Sequence, residues 1–221
     1  LPGDTAIGSG HRSFANEVSA KATKDRNVLT VASCIRFIKG PFLIQVFSGS
    51  GRLAKAVRDK GIQCFEYDLT AQGGRKNLLH ANVLTELKEL IAHPQCKGVW
   101  FGSPCGTFSS ARRYDGGPRP LRGTNSKDVG GLPHLTGREL LRVRSANKLL
   151  LRMNELMKTC ENFGVPFYLE NPQSSRLWMH PIVSKWVRHT ASHKVEFDDC
   201  QFGTDWRKAT TILSVGKSKF H

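Results

Sequence analysis

The chain has 221 residues and is strongly basic: 33 lysines and arginines face 18 acidic residues, giving a net charge of +15 that favours a polyanionic partner, nucleic acid by default. Its 39% hydrophobic and 23% charged residues are typical of a globular domain and argue against disorder. No apolar run approaches the length that spans a membrane, so we expect no membrane association.

Residues 1–27 are polar and contain glycine and serine, which predicts a flexible N-terminal arm ahead of a single domain over residues 28–221. A helix is predicted over 27–39, where apolar residues recur at spacings of three and four. From there strands and helices alternate. Strands are predicted at 42–47, 62–67, 98–101, 165–169, 194–197 and 210–215, and helices at 52–61, 85–92, 136–164 and 181–189.

The long helix has clear signals at both ends, a Thr136-x-x-Glu139 capping box at its start and Gly164 at its stop. Strand–helix alternation predicts a mostly parallel sheet with helices on both faces, which is a Rossmann-like α/β fold. The last two predicted strands have no helix-length gap between them. They are therefore expected to form a terminal antiparallel hairpin.

A glycine-containing turn follows the first predicted strand and opens a helix, where glycine lets a backbone approach a ligand closely. An acidic residue at the end of the next strand is well placed for ribose hydroxyls. The sequence offers Glu66, with Asp68 as the alternative. The third glycine of a dinucleotide fingerprint is absent, since Lys55 and Ala56 occupy that region. The candidate turn residues are Phe47, Ser48, Gly49 and Gly51.

The run ending at Phe101 breaks abruptly into Ser-Pro-Cys-Gly, which predicts a buried strand that ends by presenting the thiol of Cys105. Glu170 ends the next predicted parallel strand, so the thiol and the carboxyl are expected at one crevice. The neighbouring Arg112 and Arg113 would favour the thiolate. Cys105 is therefore the candidate nucleophile, although a buried structural cysteine is the alternative.

The six cysteines are widely separated and include no Cys-x-x-Cys pair, which argues against a zinc ribbon and a disulfide scaffold. We expect free thiols, no metal site, and an intracellular reducing compartment, either nucleus or cytoplasm.

Basic residues concentrate after the candidate nucleophile, with ten lysines and arginines against three acidic residues between Cys105 and Arg152. These arginines are candidates for phosphate contacts, although two on the long helix could equally form a solvated face. The candidates are Arg112, Arg113, Arg119, Arg122, Arg142 and Arg144, the last two being the pair on the helix.

In order, these segments resemble the S-adenosylmethionine-dependent cytosine-C5 methyltransferases, especially their compact phage and mobile-element relatives. The resemblance covers roughly residues 42–215 and runs through Phe47–Gly51, Glu66, Pro104-Cys105, Glu170-Asn171 and the segment from Cys200 to Lys208. It implies a methyltransferase fold, S-adenosylmethionine as cofactor, and nucleic acid as substrate, with DNA expected ahead of RNA.

The resemblance also implies roles. Cys105 would attack C6 of cytosine, Glu170 would hold a proton at N3, and Arg207 would position the base. Pro104 and Asn82, the latter at the position of an aspartate that meets the adenine, would join the turn residues and Glu66 around the cofactor. Target bases must leave their stack to reach such a crevice.

Several features depart from the family. Gly106 and Pro172 replace its usual Gln and Val, and the late Gln-x-Arg-x-Arg motif is represented only by Arg207 and Lys208. We find no room for a separate target-recognition region before His221. Target readout is then expected from the basic segment 111–144 or from a partner chain, or does not occur. Alternatively, a missing downstream segment completes the enzyme.

Two other functions stay open. An amino-methyltransferase would need an Asp/Asn/Ser-Pro-Pro-aromatic turn, of which Ser103-Pro104 supplies half. A catalytically silent nucleic-acid-binding module could keep the same fold and charge, because fold does not imply function.

Overall fold

A computed structural model of the protein describes residues 38–217 together with Ile35, which is helical. The predicted arm at 1–27 and most of the predicted helix at 27–39 lie outside the described residues.

Six strands alternate with four helices of seven residues or more in the described part of the chain. The strands are β1 (Phe42–Val46), β2 (Gln63–Tyr67), β3 (Cys96–Gly102), β4 (Phe167–Pro172), β5 (Ser192–Asp198) and β6 (Ala209–Val215). The helices are α1 (Arg52–Asp59), α2 (Ala81–Ala92), α3 (Gly137–Asn162) and α4 (Pro181–Val187), with short 3₁₀ segments at Ala71–Gly74, Arg176–Met179 and Asp199–Phe202.

All six strands form one sheet in the order β2-β1-β3-β4-β6-β5. The first four are parallel, while β6 runs antiparallel to both β4 and β5. Because parallel crossovers are right-handed, α1 covers one face of the sheet and α2, α3 and α4 cover the other, where α2 packs on α3. The expected Rossmann-like α/β fold, a mostly parallel sheet with a terminal antiparallel hairpin and helices on both faces, is confirmed.

The long helix α3 shows how the sequence pattern translates into packing. Its buried side chains form one stripe at helical spacing, from Val143 through Met153 and Met157 to Cys160. Gly164 adopts a left-handed φ of 61°, and the N–H of Val165 bonds back to Cys160 O at 2.8 Å, which closes the helix as predicted.

Three sequence predictions need correction. The capping box is wrong: among the described residues the Thr136 side chain makes no cap hydrogen bond, and Glu139 instead pairs with Arg119. Helix α2 begins at Ala81, four residues earlier than predicted. Strand β4 begins at Phe167, two residues later than predicted, and it ends at Pro172 with Glu170 near its carboxyl end, as expected.

The strand order reverses between β1 and β3, which is where ligands bind in open α/β sheets. The carboxyl ends of β1, β3 and β4 meet there, with Val46 paired to Phe101 and Gly102 paired to Glu170.

Candidate active site

A cavity of about 530 Å³ opens at the carboxyl ends of β1, β3 and β4. Both Cys105 and Glu170 line it, so the structure brings together the thiol and the carboxyl that the sequence assigned to one crevice. The wall also includes Phe47, Ser48, Gly49, Arg52, Trp100, Pro104, Asn171 and Lys208.

Cys105 begins a tight turn directly after β3, the Cys105 turn (residues 105–108), closed by a hydrogen bond from Phe108 N–H to Cys105 O at 2.9 Å. The thiol-bearing residue is half-buried, which leaves it reachable from the cavity. The Asn171 side chain on β4 donates to Ser103 O at 2.9 Å and so ties the two strand ends together. Its own oxygen is buried with no hydrogen-bond partner in the described structure. That carbonyl oxygen is therefore available to a donor.

Glu170 has two side-chain neighbours that the sequence did not assign to it. The Trp100 indole N–H donates to Glu170 Oε2 at 3.3 Å, and Lys208 Nζ lies 3.9 Å from Glu170 Oε1. Trp100 stacks on Tyr168 with ring centroids 5.7 Å apart, which fixes its orientation. Strand alternation could have found Trp100, because it lies two residues before Gly102, the register partner of Glu170.

The sequence predicted that Arg207 would be the cation that positions the base, whereas the cation beside Glu170 at the cavity is Lys208. Lys208 lines the cavity and bridges Glu170 and Asp199, with 3.4 Å to the latter. Arg207 has a side chain that is 78% exposed and pairs with Asp198 at 2.9 Å, and this carboxylate raises its pKa. The cation next to the candidate catalytic carboxyl is therefore Lys208.

The turn after β1, called the β1 turn (residues 47–51), has an unusual backbone. Phe47, Gly49 and Gly51 all have positive φ, at 62°, 54° and 68°. For Phe47 this conformation is uncommon and costs energy, and such strain tends to cluster at functional sites. Asp68 stabilises the turn by accepting the Gly49 N–H at 3.0 Å.

Glu66 lies beside this turn but already has a partner. A Cβ built on Gly51 would come within 2.6 Å of Glu66 Oε1, and Arg58 donates to the other carboxylate oxygen at 2.9 Å. Arg58 therefore holds one oxygen of this carboxylate, while the other, Oε1, faces the turn. Asn82 is an exposed residue in the first turn of α2. It is not among the described residues that line the cavity at Cys105.

A second cavity, of about 440 Å³, lies on the α3 side of Pro104. Leu69, Gly106, Leu141, Arg142 and Leu149 are among its lining residues, which makes it largely apolar with one cation at its edge. Pro104 borders both cavities, so the residue before the candidate nucleophile separates them.

The six arginines predicted to contact phosphates divide by environment. Arg122 is 1% exposed, so its assignment to phosphate binding is wrong. Arg112 donates to Gly106 O at 2.9 Å and to Arg119 O at 3.0 Å, and Arg119 pairs with Glu139. Exposed positions are kept by Arg113, Arg142 and Arg144.

Within residues 38–217, His, Cys, Asp and Glu side chains form no group of three that could hold a metal ion. The helices described here include none that is both long and apolar enough to cross a membrane.

No protein-family model and no curated protein matches the chain. Among solved structures, the chain is similar to the Dnmt2 methyltransferase of S. pombe, at a TM-score of 0.46 and 16% sequence identity. The match covers 83% of this chain and 52% of that one, so this chain spans about half the length of its structural neighbour.

Proposed function

We propose that the protein transfers a methyl group from S-adenosylmethionine to C5 of cytosine in nucleic acid. The observation that carries the proposal is the pairing of a half-buried thiol, Cys105, with the carboxyl of Glu170 in one cavity at the switch point of the sheet. Neither group is needed for binding phosphates, which is the whole task of a silent nucleic-acid-binding module.

The pair fits the chemistry of cytosine. C6 is a poor electrophile, so addition needs a strong nucleophile and an acid at the same time. The Cys105 thiolate forms an S–C6 bond, and the electron pair moves to C5 while Glu170 keeps a proton at N3. With S-adenosylmethionine bound, the methyl group would pass to C5 as its bond to the sulfonium sulfur breaks and leaves S-adenosylhomocysteine. Loss of the C5 proton would then return the electron pair, break the S–C6 bond and free the thiolate, while Glu170 takes back the N3 proton.

The residues at the β1 turn fit a cofactor of this class. The positive φ angle at Gly49 brings bare backbone to the cavity edge, and none of the described atoms beyond its chain neighbours lies within 4 Å of a Cβ built there. When bound, S-adenosylmethionine supplies an electrophilic methyl group. Phe47, Ser48, Gly49 and Pro104 would hold it against the Cys105 side of the cavity, and the apolar second cavity would accept its adenine. Glu66 would bind the ribose through Oε1 while Arg58 holds Oε2.

The exposed arginines would provide a basic surface that binds the phosphates of the nucleic acid. Arg142 lies at the edge of the second cavity, and Arg113 and Arg144 are exposed in the same basic segment. Phosphate contacts of this kind position a strand without reading its sequence. The target base would leave its stack and enter the cavity beside Trp100.

The test is transfer of label from S-adenosylmethionine to DNA and to RNA by the wild type, Cys105→Ala and Cys200→Ala. Cys200 is the matched control, because it is an exposed thiol outside the residues that line the cavity. We expect label on cytosine C5 with the wild type and Cys200→Ala, and none with Cys105→Ala. Label on an exocyclic amine would indicate an amino-methyltransferase instead. Tight nucleic-acid binding with no label on either polymer would contradict the proposal and favour the silent module.

A further inference from the structure

Arg122 is a buried cation with no acidic partner. Its residue is 1% exposed, and it makes no ion pair with any carboxylate in the described part of the chain. Burial lowers its pKa to about 10. A buried charge without a counter-charge is costly, so its retention calls for a role that an uncharged side chain would not fill.

The Arg122 guanidinium contacts the Cys105 turn through hydrogen bonds and through stacking on an aromatic ring. Its Nε and Nη2 atoms donate to Thr107 Oγ1 at 3.2 and 3.0 Å, and its central carbon lies 3.7 Å from the centre of the Phe108 ring. Thr107 and Phe108 are the last two residues of the turn that Cys105 begins. A planar, delocalised cation suits this combination, since it can stack on a ring and donate in its own plane.

The same side chain anchors the turn to two other segments. Nη1 donates at 2.9 Å to Val129 O, in the loop before α3, and at 2.9 Å to Asn147 Oδ1, on α3 itself. Asn147 in turn donates to Gly130 O at 2.7 Å. Arg122 therefore links the Cys105 turn to the long helix through groups that are themselves fixed.

A third set of contacts reaches the strand of the candidate acid. Arg176, which follows β4, donates from its backbone N–H to Phe108 O at 2.9 Å and from Nη1 to Arg122 O at 2.7 Å. The Cys105 turn is thus held between Arg122 and the segment that continues from Glu170. The relative positions of the thiol and the carboxyl depend on both contacts.

We infer that Arg122 is a positioning residue, which fixes the Cys105 turn relative to Glu170. The effect of Arg122 on catalysis rests on the proposed function. Its effect on the position of the Cys105 turn rests on the contacts alone. Misplacement of a reacting group by about 1 Å can cost on the order of 100-fold in rate. Loss of the guanidinium should therefore slow the reaction of Cys105 with cytosine and, by loosening the turn, speed its reaction with a small reagent.

The test compares Arg122→Met, Arg122→Lys and Thr107→Val with the wild type, using Arg188→Met, an exposed arginine after α4, as the matched control. The first readout is alkylation of Cys105 by iodoacetamide, followed peptide by peptide in a mass spectrometer. The buried thiols of Cys64 and Cys160 report whether each variant stays folded. The second readout is the rate of covalent adduct formation with 5-fluorocytosine in DNA and RNA, alongside calorimetric affinity for S-adenosylmethionine.

For Arg122→Met we expect alkylation at least threefold faster and adduct formation roughly 10- to 100-fold slower, with cofactor affinity within about twofold. The alkylation and adduct rates of Arg122→Lys should lie between those of Arg122→Met and the wild type. Lysine keeps the positive charge but lacks the planar, forked set of guanidinium donors. Adding Thr107→Val to Arg122→Met should change little, because the hydrogen bonds between Thr107 and Arg122 are already lost.

Unchanged Cys105 alkylation and adduct formation in a folded Arg122→Met protein would overturn the inference. If Arg122→Met fails to fold, Arg122→Lys and Thr107→Val decide by the same two rates. If the wild type forms no adduct, the proposed function fails, and the alkylation rates alone decide whether Arg122 holds the turn.

Discussion

The β1 turn approaches Glu66 most closely at Gly51. The substitution Gly51→Ala measures how much stability depends on this close approach. Alanine at a φ of 68° would be strained, and its Cβ would lie 2.6 Å from Glu66 Oε1. Gly49 is the matched control, because its φ of 54° carries the same strain while the described atoms leave its Cβ position open.

The two substitutions should differ by the cost of moving Glu66. Left-handed backbone costs an alanine roughly 1 kcal/mol at either position. Moving Glu66 also weakens its pair with Arg58, whose side chains are 46% exposed for Arg58 and 29% for Glu66. Pairs this exposed contribute at most about 1 kcal/mol. We therefore expect losses in the free energy of unfolding of about 1 kcal/mol for Gly49→Ala and roughly 1.5–2 kcal/mol for Gly51→Ala.

Urea unfolding gives these free energies, provided the slopes of the transitions agree. The sharper comparison repeats Gly51→Ala in a Glu66→Ala background, where the overlap is gone and the cost should fall to that of Gly49→Ala. An equal cost in both backgrounds would refute the idea that Gly51 makes room for this carboxylate. Calorimetry with S-adenosylmethionine then tests the functional consequence, a weaker affinity in Gly51→Ala than stability alone explains.

Three further predictions follow from the cavity and its surroundings. Trp100→Phe keeps the stacked ring but removes one donor from Glu170, a bond worth about 1.5 kcal/mol, so single-turnover methyl transfer should fall roughly tenfold without a matching loss of stability. Lys208→Met should slow methyl transfer by at least about fivefold while Arg207→Met stays within about twofold, and the reverse order would return the base-positioning role to Arg207. The pKa of Glu139 is held below its usual value of 4.5, chiefly by hydrogen bonding to an arginine, so its contribution to stability is present above that pH and lost as pH falls through the lowered value. Melting temperatures of Glu139→Gln should accordingly decline less than those of the wild type between about pH 5 and pH 3.

The sequence predicted the central pair of the site because sheet topology is enough to place it. Cys105 and Glu170 each follow or end a parallel strand, and neighbouring parallel strands present their carboxyl ends at one edge. The register of Gly102 with Glu170 then fixes how close the two elements lie. No knowledge of side-chain contacts was needed for this step.

Side-chain partnerships were not predictable in the same way. A Thr-x-x-Glu spacing at 136–139 satisfies the pattern of a capping box, yet Glu139 gains more from the charged Arg119 than from a backbone N–H. Arg207 and Lys208 are adjacent and alike in charge, so only the path of the chain from the 3₁₀ segment into β6 decides which one reaches Glu170.

The net charge of the basic segment likewise overstates the cations that a polyanion could reach. Arg122 is enclosed, and Arg112 and Arg119 are occupied by carbonyls and a carboxylate of the same segment. These enclosed or paired arginines are interspersed along the chain with exposed ones such as Arg113 and Arg142, so a count of charges cannot separate the two groups. We therefore expect the basic residues of the segment after the candidate nucleophile to have two roles: some hold the Cys105 turn in place and, under the proposed function, others attract nucleic acid.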